Sequence, residues 1–200
     1  MRNIIKNTML LGSLFLMLTF SFIACTEGDG DKDYGLSYIY MPQATSTGGL
    51  NNNYLVPLGG GEYTYNFKVS EDKTQLQVIL GVLRSGSMTG FAYTVDIVSQ
   101  ADLATQVVES GEIKDAMVLP QSFYSLPQSI SVTGNNNGGT FYMSVSMDAL
   151  KQEALVGKKL VMAVAISNPT AYELSPVNTN TVVVIDVDAI LNIINNLGQN

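Results

Sequence analysis

The chain has 200 residues, no histidine, no tryptophan and a single cysteine, and its 17 acidic residues outnumber 10 basic ones for a formal net charge of −7. The missing side chains exclude Ser-His-Asp and Cys-His nucleophile systems, zinc sites built on His or Cys, and imidazole bases. The acidic balance repels phosphate backbones, so no nucleic-acid partner is expected, and a lone cysteine leaves stability to a hydrophobic core, for which the length suffices.

Arg2 and Lys6 precede an apolar run from Met9 to Ile23, broken only by Gly12, Ser13, Thr19 and Ser21. A positive start, an apolar core and a small residue, Ala24, before the cut describe a secretory signal. A transmembrane anchor is the competing reading. The run is short for a span of about 20 apolar residues, and no basic cluster stops it. An ordinary secretory signal would leave Cys25 as an unpaired thiol beside the cleavage site. The segment resembles a bacterial lipoprotein signal, in the looser form of Bacteroides-type bacteria, with Phe22 three residues before the cysteine. That resemblance implies that residues 1–24 are removed, that Cys25 is acylated, and that the protein sits on the outer membrane at the cell surface. Two or more acyl chains give stable anchoring.

Residues 25–35 read as an acidic, flexible tether, since Gly and Asp dominate Thr26 to Asp33. Asp29, Asp31 and Asp33 have the spacing that opens an EF-hand loop. Tyr34 and Tyr40 stand where the glycine and the bidentate glutamate belong, so no metal site is expected. Acidic residues just after the cysteine also resemble the export cue of surface lipoproteins in Bacteroides-type bacteria.

Strand signals begin at Leu36 to Met41, ended by Pro42. After a loop rich in Thr, Gly and Asn and a break at Gly59-Gly60-Gly61, Glu62 to Ser70 alternates: Tyr63, Tyr65, Phe67 and Val69 share one face. The three glycines lack the Lys-Ser/Thr and the helix of a phosphate loop. Glu71-Asp72 makes a turn. Leu76 to Leu83 is apolar on both faces, as a strand covered on both sides would be. Phe91, Tyr93, Val95 and Ile97 alternate again. Ala101 to Glu109 carries Leu103, Val107 and Val108 at helical spacing.

Ile130 and Val132 mark another strand, and Phe141, Met143, Val145 and Met147 the next, with Asn137-Gly138 between them as a hairpin signal. Asp148 to Val156 reads as a short helix or a loop, with Asp148 a candidate N-cap. Leu160 to Ser167 and Val182 to Val187 are the last strands, with Asn168-Pro169 opening the loop between them. Ala189 to Leu197 reads as a frayed helix in a tail of residues 189–200. About eight strands without βαβ alternation predict an all-β, antiparallel sandwich over residues 36–188.

The phrase Val118-Leu119-Pro120-Gln121-Ser122-Phe123-Tyr124-Ser125-Leu126-Pro127 resembles a Bacteroides-type family, the domain of unknown function 1735. Tyr40-Met41-Pro42-Gln43-Ala44 is similar to that family's first strand, and Leu160 to Ile166 to a late one. The resemblance spans roughly Gly35 to Asp188. It implies an immunoglobulin-like sandwich of about 7–9 strands with one or two short helices, on a lipoprotein, in settings linked to glycan capture. Members often precede a glycosidase or lectin-like domain. The family implies no catalytic residues and no cofactor.

The remaining chemistry is sparse. Tyr faces can stack on sugar rings, and Tyr34, Tyr38 and Tyr40 share a strand face while Tyr142 points outward. Each also reads as ordinary sandwich packing. A glycosidase needs two carboxyls in a cleft; Asp186 and Asp188 share a strand face but read as solvated strand-end charges. The sequence therefore predicts a non-enzyme: a binding or accessory module for polysaccharide or an outer-membrane partner protein. The alternative is a structural spacer or an adhesive, assembly subunit. If Cys25 carries the anchor, mass spectrometry of the mature N-terminal peptide should find Cys25 first and fatty-acylated, and Cys25→Ala should leave the leader uncut and the mass of lipid absent.

Overall fold

The computed structural model describes residues 37–45, 53–61, 64–86 and 90–197. Cys25, the leader, the tether with Asp29, Asp31 and Asp33, and Tyr34 lie outside the described residues. The described chain is an all-β sandwich of two six-stranded sheets. The first sheet contains β1 (Tyr38–Tyr40), β3 (Phe67–Val69), β4 (Gln75–Arg84), β7 (Tyr124–Ser125), β9 (Gly138–Ser146) and β11 (Glu173–Leu174). The second contains β2 (Tyr54–Val56), β5 (Tyr93–Ser99), β6 (Ala116–Val118), β8 (Ser129–Val132), β10 (Lys159–Ser167) and β12 (Asn180–Asp186).

Each sheet is built around one long strand. β4 pairs with β9 along one edge, while β3 and β1 divide the other. β10 pairs with β12 along one edge, while β6 and β5 divide the other. The extra strands beyond the expected seven to nine are short pieces such as β7 and β11, too brief to show a period. Most pairings are antiparallel as expected, but β1 with β11, β6 with β10 and β2 with β12 run parallel.

Leu160, Met162, Val164 and Ile166 of β10 enter the main core with Val78, Leu80, Met143, Val145 and Ile185. The alternate residues Val161 and Ala163 pack instead with Val184 under Ala104. Ala104 belongs to α2 (Ala101–Glu109), a helix where the sequence predicts one. A strand covered on both faces reads as a continuous apolar run, which explains Leu160 to Ile166. β4 departs from that expectation. Gln77, Ile79 and Leu83 on its outer face are only half-buried.

Several elements correct the sequence reading. Asn137-Gly138 does not close a hairpin: β8 pairs with β5 and β9 with β4, so the loop carries the chain from one sheet to the other. Asn-Gly favours a tight local bend, but partner choice is set by burial of Val132 and Phe141 on opposite sides of the core. Gly138 is needed for a different reason: a Cβ there would strike the Val82 carbonyl oxygen. The strand expected from Glu62 shrinks to Phe67–Val69, because Thr64 turns back on Gly61. The helices among the described residues number four, not one or two: α1 (Pro42–Thr45), α2, α3 (Met147–Leu150) and α4 (Val187–Leu197), the first and third being single turns. Ser146, not Asp148, caps α3, accepting from the Ala149 N–H at 3.3 Å.

The last helix is docked rather than frayed. Ile190 is fully buried, and Leu191, Ile193 and Ile194 pack against the core. Asp186 ends β12 and accepts from the Ala189 N–H at 3.0 Å, which satisfies one of the helix's free donors.

At the pole where β4 ends, Arg84 is 3 % exposed and its guanidinium stacks over the Tyr172 ring at 4.9 Å. Tyr93 meets Tyr172 edge-on at 5.9 Å and donates from its hydroxyl to the Asn137 carbonyl at 3.1 Å. These contacts pin the two loops that carry Asn137 and Tyr172 to the strands β4 and β5. Burial pushes the Tyr93 phenol up to about 12, against the pull of the Arg84 charge.

Two outcomes follow from this packing. Ile190→Ala should cost about 3 kcal/mol in urea denaturation, as a core truncation does, while exposed Asn192→Ala should stay within about 0.5 kcal/mol. A phenol whose pKa is raised in the fold contributes stability that is intact below its ordinary value of 10.0 and is lost as pH climbs toward 12. Near-ultraviolet absorbance titration should therefore show a late-ionising tyrosine that Tyr93→Phe removes.

Candidate functional site

At the opposite pole, where β4 begins, a groove of about 490 Å³ opens between β3 and α4. Its apolar lining comes from Tyr65, Phe67, Val69, Met147, Leu191 and Ile194. Period two along the chain puts Tyr65, Phe67 and Val69 on one side, and β3 pairs with β4 through Phe67↔Val78 and Val69↔Leu76. The Tyr65 and Phe67 rings stack 5.1 Å apart at 20°. Phe67 is buried beneath, and Tyr65 remains half-exposed. On the far wall, Leu191 and Ile194 are three apart and so share a helix face, held in place by Ile190.

Lys68, Lys73, Lys151, Glu71 and Asn195 complete the lining, although Lys68 alternates with Phe67 and Val69 and so sends its side chain to the other face of β3. The Lys68 ammonium lies 4.1 Å above the centre of the Tyr142 ring, a cation–π contact. Lys73 occupies a left-handed position, φ 59°, in the turn after β3, where its N–H donates to the Ser70 carbonyl. Lys151 follows α3, and its N–H donates to the Met147 carbonyl. No ion pair ties Lys73 or Lys151 among the described residues.

The acidic side chain of this turn is already engaged. Asp72 accepts from the Ser70 hydroxyl at 2.6 Å, the Thr74 hydroxyl at 2.8 Å and the Thr74 N–H at 3.1 Å. These bonds, the Ser70 hydroxyl foremost, hold its carboxyl below the usual range. The reading of Glu71-Asp72 as a turn is what the structure shows.

The sequence-selected residues are not brought together. Tyr38 and Tyr40 lie half-buried on β1, near the other pole. Tyr142 is 36 % exposed on β9 beneath Lys68. Asp186 and Asp188 do not share a strand face: β12 ends at Asp186, and Asp188 sits in the first turn of α4. Asp186 caps that helix and Asp188 accepts from the Gly157 N–H at 3.0 Å, so both serve structure. The groove was half visible as the Tyr63–Val69 alternation. Its other wall is remote in sequence, and no local period links the two.

No family model matches this sequence, and no curated protein matches it. The fold has solved counterparts. A Bacteroides ovatus protein of unknown function aligns with a TM-score of 0.52 at 11% identity, over 76% of this chain and 52% of that one. A multidomain Bacteroides ovatus protein that includes the domain of unknown function 1735 aligns at 0.50 and 10% identity, over 74% of this chain and 44% of that one. A third from the same organism, provisionally described as carbohydrate-binding, aligns at 0.49 and 12% identity, over 74% of this chain and 36% of that one. This chain thus spans about a third to a half of the length of these three solved chains. What it has in common with them is the fold, an all-β sandwich found in Bacteroides proteins, one of which includes the domain of unknown function 1735.

Proposed function

We propose that this protein is a non-catalytic binding module, anchored to the outer membrane through Cys25 and displayed at the cell surface, and that its groove captures glycan. The observation that carries this reading is the groove itself: a half-exposed aromatic ring among apolar side chains, with Ser70, Glu71, Lys73, Lys151 and Asn195 also in the lining. Such a lining suits the C–H face of a sugar ring, with polar groups left to meet its hydroxyls. The described chain begins at Ser37, beside the end of β4, where the Tyr38 N–H donates to the Ser85 hydroxyl. The groove lies at the other end of β4, roughly 30 Å away for a ten-residue strand.

Phe91, 79 % exposed near the first pole, favours a second reading, contact with a partner protein on that side. The two readings separate experimentally. Full-length protein in detergent, passed over immobilised dietary and host polysaccharides, should be retained by at least one. Ile194→Asp should abolish retention while Phe91→Ser leaves it intact. Retention of none, with a partner captured in a Phe91-dependent manner, would replace the glycan reading with the second.

A further inference from the structure

We infer that the groove selects acidic glycans, chains bearing uronate carboxylates, over neutral ones; the inference rests on the glycan reading above and names its substrate class. Charge distribution carries it. Acidic residues outnumber basic ones 17 to 10 over the chain, yet the groove lining reverses the balance, with Lys73 and Lys151 against Glu71; Lys68, also in the lining, sends its ammonium to the other face of β3, over Tyr142. A groove that gathers cations on an otherwise acidic protein is complementary to an anion, and like-charged ligands are rejected elsewhere on the surface.

The arrangement also fits the shape of a uronate. Its ring offers a flat C–H face, and its carboxylate projects from the ring edge. Tyr65, Met147, Leu191 and Ile194 supply the apolar surface, and the lysines stand along its margins. The backbone of Lys73 is set by a turn closed by the Ser70–Gln75 and Lys73–Ser70 bonds. Asp72, the acid nearest Lys73 in sequence, is turned into that loop by Ser70 and Thr74.

The test uses oligomers of galacturonate, glucuronate and mannuronate, their methyl esters, and poly-glutamate, each titrated into full-length protein in detergent. At least one uronate oligomer should bind, and its ester, which keeps the shape and loses the charge, at least tenfold more weakly. Lys73→Gln with Lys151→Gln should weaken the uronate about tenfold without moving the melting temperature, and added salt should do the same to the wild type. Equal binding of acid and ester, lost in Ile194→Asp, would overturn the charge inference and leave glycan capture standing. Binding of poly-glutamate alone would overturn both in favour of an acidic peptide. No binding by any of these ligands would overturn the charge inference, and retention on a neutral polysaccharide would then leave glycan capture standing.

Discussion

β10 is the strand on which the rest of this protein depends. Its two faces are committed to different partners, the inter-sheet core on one side and the helix Ala101–Glu109 on the other. A slip of one residue would exchange Leu160, Met162, Val164 and Ile166 with Val161, Ala163 and Ala165. The larger set would then meet the helix, where only Ala104 offers space. Register is therefore set by size as well as by polarity. With a single cysteine in the chain, that packing does the work a disulfide does in many exported domains.

The first sheet solves a different problem. The edge of β4 between β3 and β1 has no strand beside it, so its backbone groups need other partners. Asn66 supplies its carbonyl to the Ile79 N–H at 2.9 Å, the Tyr54 hydroxyl donates to the Ile79 carbonyl at 3.1 Å, and the Gln43 side chain accepts from the Gly81 N–H at 3.3 Å. The Asn66 side chain also donates to Leu55 and accepts from Leu58, reaching the segment that carries β2 in the other sheet. These polar bonds fasten the sheets along one margin. They also fix where β3 begins, and so where the aromatic wall of the groove stands.

Strands with a clear alternation, such as Tyr93–Ser99 and Gly138–Ser146, were legible in the residues because one face of each is dry. The helix Ala101–Glu109 was legible because its apolar spacing is that of a helix with one covered side. What could not be read was partnership. Asn137-Gly138 describes a bend and is silent about which sheet lies beyond it. The acidic pair Asp186 and Asp188 looked like neighbours on a strand, but the chain changes from strand to helix between them. Of the groove, Tyr65 and Phe67 were visible as an apolar face. Leu191 and Ile194 looked like a loose tail, because their burial depends on a surface assembled from β12, α3 and β3.

One wall of the groove is the last helix of the described chain, and its hold rests largely on Ile190 and the Asp186 cap. A helix held to the sheet by one face is the kind of element that opens locally before the whole domain unfolds. Any molecule that fills the groove would touch both the helix and the sheet. Occupancy and closure of that helix then become a single linked equilibrium: filling the groove suppresses fraying, and fraying empties the groove. A molecule held in the groove would in this way stiffen the helix Val187–Leu197 with no rearrangement of the sandwich.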